Sequence, residues 1–284
     1  MKRLFLLLLV SVFIISGCAF DFNIKPENDY NSIYATDVNG TLVPFHENVS
    51  ESRLDAKQYF FDENGRAGYN NPDIDLLHGI DVSVFQGDVD WEAVKSDGID
   101  FVMLRIGFRG YGSKGIIQLD NKFDENYTDA VAAGLKVGVY FYSQALTGEE
   151  AIEEAAFVVS ALENRSLDFP VVFDWEYVDN AEARTKDMTS EQITQCAISF
   201  CKTIKDNGYL PMIYFNREIG YFEYNLALVD EFDFWLAEYS SYPTFIYEYT
   251  MWQYTDSGTV NGIDGRVDLN VSLVDYSQFY DAYG

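Results

Sequence analysis

Residues 169–179 read FPVVFDWEYVD, an apolar run that stops abruptly at two carboxylates two positions apart. On an extended strand Val171, Phe173 and Trp175 share one parity, while Val172, Asp174 and Glu176 share the other. Both acids therefore face the same way, with Cα atoms roughly 6–7 Å apart. Paired acids at a strand end suit glycosidic bond cleavage. One carboxyl with a raised pKa protonates the departing sugar oxygen, and the other activates a nucleophile or stabilises positive charge on the ring. An isolated Asp-x-Glu is also a common solvated strand terminus, so the rest of the chain must decide.

Working outward, residues from Gly79 onward alternate short apolar strands with helical stretches. GIDVS (79–83), FVMLRIGF (101–108), VGVYFYS (137–143), VVFDWE (171–176), PMIYFN (211–216), FWLAEY (234–239), TMWQY (250–254) and RVDLN (266–270) are the strands. Helices are expected around 91–96, 125–133, 149–162 and 191–206, the last with Ser190 as its N-cap. This order predicts an α/β fold, an irregular TIM-like β/α barrel that lacks helices in its later part, over residues 78–284. In such barrels chemistry sits at the C-terminal ends of the strands. Asp81 on the first strand, Asp174 and Glu176 on the fourth and Asp268 on the last meet that condition. Parity turns Ile80, Val82, Val137, Val139 and Phe141 toward the helices, and Asp81, Tyr140 and Tyr142 toward the barrel axis. Four inward acids from three strands are costly as core packing and sensible as a site.

Composition narrows the classes. The chain has 284 residues with 19 basic and 46 acidic side chains, a net charge of −27 that repels polyanions, so nucleic acid is excluded as a partner. Tyr 21, Phe 22 and Trp 4 provide flat apolar faces for sugars as well as core. His46 and His78 are the two histidines, too few for a metal-dependent deacetylase or a His-based triad, and neither metal nor cofactor is expected. His78 reads as a cap or surface residue before the first strand, Asp88 and Asp90 as the N-cap region before Trp91. The glycines from Gly107 to Gly115 read as a flexible loop at the rim of the cleft. Cys196 and Cys201 lie about 140° apart around a helix, which argues against a disulfide and for buried thiols.

The start of the chain has Lys2-Arg3, an apolar run from Leu4 to Ile15, then Ser16-Gly17-Cys18. That is a secretory signal over residues 1–17, too short to span a bilayer comfortably. Its ending resembles the lipobox of bacterial lipoproteins, which implies a lipidated Cys18 as membrane anchor and a site of action at the cell surface; ordinary secretion with Cys18 discarded is the alternative. Residues 18–77 read as a tether, flexible to about Asp37, with a small β-hairpin formed from TLVPF and KQYFF between Gly40 and Tyr69.

The blocks HGIDVSVFQGDVDW (78–91), FVMLRIGFRG (101–110), VGVYFYSQA (137–145), PVVFDWE (170–176), FWLAEY (234–239) and MWQYTDSGTVNGIDGRVDLN (251–270) together resemble glycoside hydrolase family 25. The resemblance implies a lysozyme, an N-acetylmuramidase that cuts the β-1,4 bond between N-acetylmuramic acid and N-acetylglucosamine in peptidoglycan. It implies Glu176 as general acid, Asp174 orienting the acetamido group or a water, and Asp81 and Asp268 completing the acidic floor. Tyr142, Trp235, Tyr239, Trp252 and Gln253 become candidates for sugar contacts. The expected partner is the glycan strand, with the protein acting as a monomer. A tethered barrel that binds wall glycan without cleaving it, or one that uses its aromatic surface for protein contact, are the competing readings.

Overall fold

The computed structural model describes residues 33–163 and 165–281. The signal segment and Cys18 lie outside the described residues. Two hairpins come first, β1 (Tyr34–Thr36) with β2 (Leu42–Pro44) and β3 (Tyr59–Phe61) with β4 (Ala67–Tyr69). TLVPF and KQYFF thus belong to separate hairpins, because the Asx turns at Asp37 and Asp62 close each locally. Nor is this stretch a free appendage. Val43, Val49, Tyr59 and Ala67 are buried in the same apolar cluster as the outer wall of the barrel.

The barrel strands are β5 (Leu77–Val82), β6 (Phe101–Arg109), β8 (Lys136–Ser143), β9 (Val171–Trp175), β10 (Pro211–Asn216), β11 (Asp233–Ala237), β12 (Met251–Gly258) and β13 (Val267–Ser272), with β7 (Ile117–Leu119) added to the edge of β6. Pairing runs β5-β13-β12-β11-β10-β9-β8-β6 and closes through β5–β6. All eight expected strands are present. The closure differs from an all-parallel barrel, since β13 runs antiparallel to both β12 and β5. A tight Gly262–Gly265 connection leaves no room for the helix that a parallel crossover needs.

Helices α1 (Trp91–Ser96), α2 (Phe123–Ala132), α3 (Gly148–Leu162) and α4 (Ser190–Asp206) cover the first half, followed by short α5 (Arg217–Phe222), α6 (Leu226–Val229) and α7 (Ser277–Asp281). Thr189, not Ser190, caps α4, because a capping box with Gln192 outcompetes the next hydroxyl. Asp90 caps α1, while Asp88 pairs with Lys122. His78 lies within β5, half-buried, and its N–H donates to Asp100 Oδ2 at 2.9 Å. The Gly107–Gly115 segment is an ordered β6–β7 hairpin rather than a flexible loop, held by Arg109, which donates to Gly115 O at 2.9 Å and to the buried Glu154 at 2.6 Å. Cys196 and Cys201 are free and buried.

Strand parity separates two cores. Ile80, Val82, Val137, Val139 and Phe141 face outward and pack with Val158 of α3 and Phe200 of α4. Phe101, Met103, Phe169, Val172, Met212 and Met251 point inward and fill the lower barrel, where Phe101 and Phe169 stack with ring centroids 4.3 Å apart. Gly79 makes room for this layer, since a Cβ there would lie 2.2 Å from the Phe101 ring. With the lower layers packed, the barrel is open only above them, at the strand ends that carry the acids.

Candidate active site

A cavity of about 390 Å³ opens at that end, lined by Asp81, Asp174, Glu176 and Asp268 together with Phe85, Arg105, Phe108, Tyr140, Tyr142, Tyr214, Trp235 and Gln253. The four acids thus converge, although one does so by an unexpected route. Asp268 stands near the start of β13, not at a C-terminal end; because that strand is antiparallel, its beginning lies at the same mouth, directly opposite Asp81. Asp174 is flanked in register by Tyr142 of β8 and Tyr214 of β10. Glu176 follows β9, and Gln144, anchored by Thr185 at 2.8 Å, donates to its carbonyl oxygen at 3.4 Å.

A chain of hydrogen bonds fixes the Asp81 side. Trp235 Nε1 donates to Asn270 Oδ1 (2.9 Å), Asn270 Nδ2 to Asp81 Oδ2 (2.8 Å), and Gln253 Nε2 to Asp81 Oδ2 (2.9 Å) and Asp268 Oδ2 (3.4 Å). Tyr214 and Tyr239 hydroxyls both donate to Gln253 Oε1, at 3.1 and 2.8 Å, and so set which way its amide faces. The Asp174 side is different. Its Oδ1 is buried and accepts from no donor among the described residues.

Charge crowding follows. Burial, then Asp81, pushes Glu176 up to about 7. Burial, then Asp81, pushes Asp268 up to about 8. Burial, with Glu176 next, raises Asp174 well above the ordinary carboxylate range. Burial also raises Asp81, opposed by the hydrogen bonds from Asn270 and Gln253. Like-charge repulsion is thus real but second to desolvation, and for Glu176 it comes from Asp81 across the barrel rather than from its strand neighbour. The site holds carboxyl groups that keep their protons toward neutral pH beside Asp81, where donors oppose the rise that burial causes. That is the equipment for proton donation to a leaving group.

Of the five expected sugar contacts, Tyr142, Trp235 and Gln253 line the cavity. Trp235 is only 2% exposed and forms floor, its N–H already engaged. Tyr239 stands at the side, 54% exposed, reaching in through its hydroxyl. Trp252 is not in the cavity. Its parity is opposite to that of Gln253, so it turns outward, donates to Glu238 O at 2.9 Å and is covered by Tyr59, 4.9 Å between ring centroids. Four wall residues, Arg105, Phe108, Tyr214 and Phe85, were not singled out from the sequence. Arg105 interrupts the apolar strand 101–108 on the inward parity of Met103, which is a readable signal; it pairs with Asp120 at 2.7 Å and lies 4.9 Å from the Phe85 ring. Tyr214 shares the inward parity of Met212. Phe85, 81% exposed, sits in a turn after β5 where no periodicity marks it.

This geometry can be set beside known proteins. The model of glycosyl hydrolases family 25 matches residues 80–263. The chain belongs to that family. Among family 25 relatives, the autolytic lysozyme of Clostridium acetobutylicum is 30% identical over 196 residues, covering 68% of this chain and 55% of that protein. Lysozyme M1 of Streptomyces globisporus is 27% identical over 212 residues, covering 68% of this chain and 67% of its own. A solved structure of the modular autolysin from Streptococcus pneumoniae, in complex with a synthetic peptidoglycan ligand, has a TM-score of 0.60 and 25% identity over 84% of this chain and 56% of that one. A family 25 lysozyme from Aspergillus fumigatus has a TM-score of 0.57 and 25% identity, covering 73% of this chain and 98% of its own. The chain therefore spans about half the length of the Clostridium and pneumococcal proteins, and the family match begins after the two N-terminal hairpins.

Proposed function

We propose that this family 25 chain is a peptidoglycan hydrolase, an N-acetylmuramidase that cleaves the β-1,4 bond between N-acetylmuramic acid and N-acetylglucosamine. The observation that carries the reading is the gathering of Asp81, Asp174, Glu176 and Asp268 around one sugar-sized cavity with aromatic walls. Relatives named as lysozymes support it.

Protonated Glu176 gives its proton to the glycosidic oxygen as the bond to the anomeric carbon breaks. Asp174, whose buried Oδ1 accepts from no donor among the described residues, accepts the acetamido N–H and aims the acetamido oxygen at that carbon. The substrate's own group thus serves as nucleophile, and Glu176, now ionised, takes a proton from the water that opens the cyclic intermediate. Asp81, whose ionised form is favoured by hydrogen bonds from Asn270, Gln253 and Asp268, supplies negative charge beneath the oxocarbenium-like ring. Tyr142, Trp235, Gln253 and Tyr239 shape the walls.

Purified peptidoglycan digested by the wild type should yield new reducing ends, and Glu176→Gln should yield none while still sedimenting with the wall. Equal release by both proteins contradicts the assignment, and binding without release by the wild type leaves a glycan-binding protein. A covalent glycosyl adduct trapped on Asp174 or Asp81 rules out acetamido assistance. The basic, apolar and Ser-Gly-Cys sequence at the start supports attachment at the cell surface through Cys18; Cys18→Ala should move the protein out of the membrane fraction. All four acids come from one chain, so the site is complete in a monomer.

A further inference from the structure

The hairpin segment that precedes the family match is tied to the barrel by several contacts on one crossover, in addition to Arg66 with Asp97 at 2.7 Å and Ser50 N–H with Asp230 Oδ1 at 3.2 Å. Ser52 N–H donates to Ile246 O and Glu248 N–H to Ser50 O, both at 2.9 Å, so Glu51 and Tyr247 form an antiparallel bridge. Tyr249 hydroxyl donates to Tyr59 hydroxyl at 3.2 Å. At the other end, the buried Asp37 accepts from Arg217 Nη2 at 2.9 Å, Arg217 Nε lies 3.9 Å from Glu238 Oε1, and Tyr242 hydroxyl donates to Asn39 Oδ1 at 2.8 Å. Apart from the contacts to Asp97 and Asp230, every one of these falls on, or leads to, residues 238–250, the crossover from β11 to β12. That crossover is parallel and carries no helix. The N-terminal hairpins supply the outer layer that a helix provides elsewhere in such barrels.

The upper end of the same crossover bears Tyr239, whose hydroxyl donates to Gln253, and Gln253 donates to Asp81 and Asp268. The Asp37–Thr41 turn is itself stiff, since Asp37 Oδ1 accepts from the N–H groups of Asn39 (2.9 Å) and Thr41 (2.8 Å). We propose that this turn is a positioning element for the acid pair: through Arg217 and Tyr242 it fixes the start of the crossover, so that Tyr239 keeps the Gln253 amide turned toward Asp81 and Asp268. The inference rests on the catalytic reading above and adds to it residues outside the family match. None of Asp37, Asn39 or Tyr242 lines the cavity.

A double-mutant cycle on peptidoglycan digestion tests it, using the full chain. Asp37→Asn with Asn39→Ala should keep the fold, checked by thermal melting, and lower kcat/KM about tenfold, the rate equivalent of one charge-assisted hydrogen bond. Tyr239→Phe should cause a similar loss, and the combined variant should be no worse than Tyr239→Phe alone, because both act through Gln253. The alkaline limb of the pH profile should move in both. Should Asp37→Asn unfold the hairpin, Asn39→Ala alone carries the same test through Tyr242. Losses that multiply, or a turn variant with wild-type rate and pH profile, overturn the inference. Carbon-13 titration of the Asp81 and Asp268 carboxyls decides it independently of turnover: displaced titration in the turn variant supports it, and unchanged titration overturns it even where the wild type cuts no wall and the catalytic reading has failed.

Discussion

At Glu176 a single environment sets both acidity and exposure to substrate. Burial at the cavity mouth and the charge of Asp81 hold its proton up to about 7, so the form able to donate is present below that pH and lost above it. Hydrolysis should therefore decline as pH rises through about 7, measured as initial rates on purified wall across a buffer series. Glu176→Gln should slow cleavage by roughly 10²–10⁴-fold, the usual worth of a positioned general acid, with wall binding retained in a sedimentation assay. These four acids were readable from the sequence because carboxylates on the inward parity of apolar strands have few structural excuses. Trp252 misled because its block matched the family, whereas its parity, opposite to that of Gln253, already turned it outward. Tyr239 keeps an exposed ring beside the cavity, and its hydroxyl donates to Gln253.

Among the elements, the barrel strands and helices of the first half were legible to within about two residues, since each carries its own periodicity and all the helices but α2 a side-chain cap. In the second half the strands were legible too, but the direction of the last one was not. Direction of β13 depends on whether the connection after β12 can hold a helix, a property of the loop rather than of the strand, and RVDLN reads the same in either direction. The pairing of the N-terminal hairpins with the crossover was also hidden, because it joins main-chain groups across about two hundred residues, and strand patterns record only which side is apolar. The covered crossover gives a direct test of what Trp252 does. Trp252→Ala should destabilise the protein by about 3–5 kcal/mol, as expected for a buried indole between Tyr59 and Tyr254, measured by urea unfolding. A sugar-contact role would instead give a catalytic loss with little change in stability.

The whole molecule bears a cost for the site. Glu176 and Asp268 are raised from ordinary values of 4.5 and 3.8 to about 7 and about 8, and burial raises Asp174 as well. Between those limits the native chain holds protons that the unfolded chain has released, so stability is greatest at the acid side of the window and falls as pH rises through about 7–8. Melting temperature should follow that slope, and Glu176→Gln should melt above the wild type at pH 8, by about 2 kcal/mol after allowance for solvent screening, with the advantage gone below about pH 5. A variant that is more stable and inactive marks a group held against its preference for the sake of chemistry. The central claim is that the acids of this cavity cut one particular bond, and mass analysis of muropeptide ends after digestion of purified peptidoglycan tests it most directly. The account predicts reducing ends on N-acetylmuramic acid with the wild type and none with Glu176→Gln; reducing ends on N-acetylglucosamine, or no glycan cleavage at all by the wild type, would contradict it.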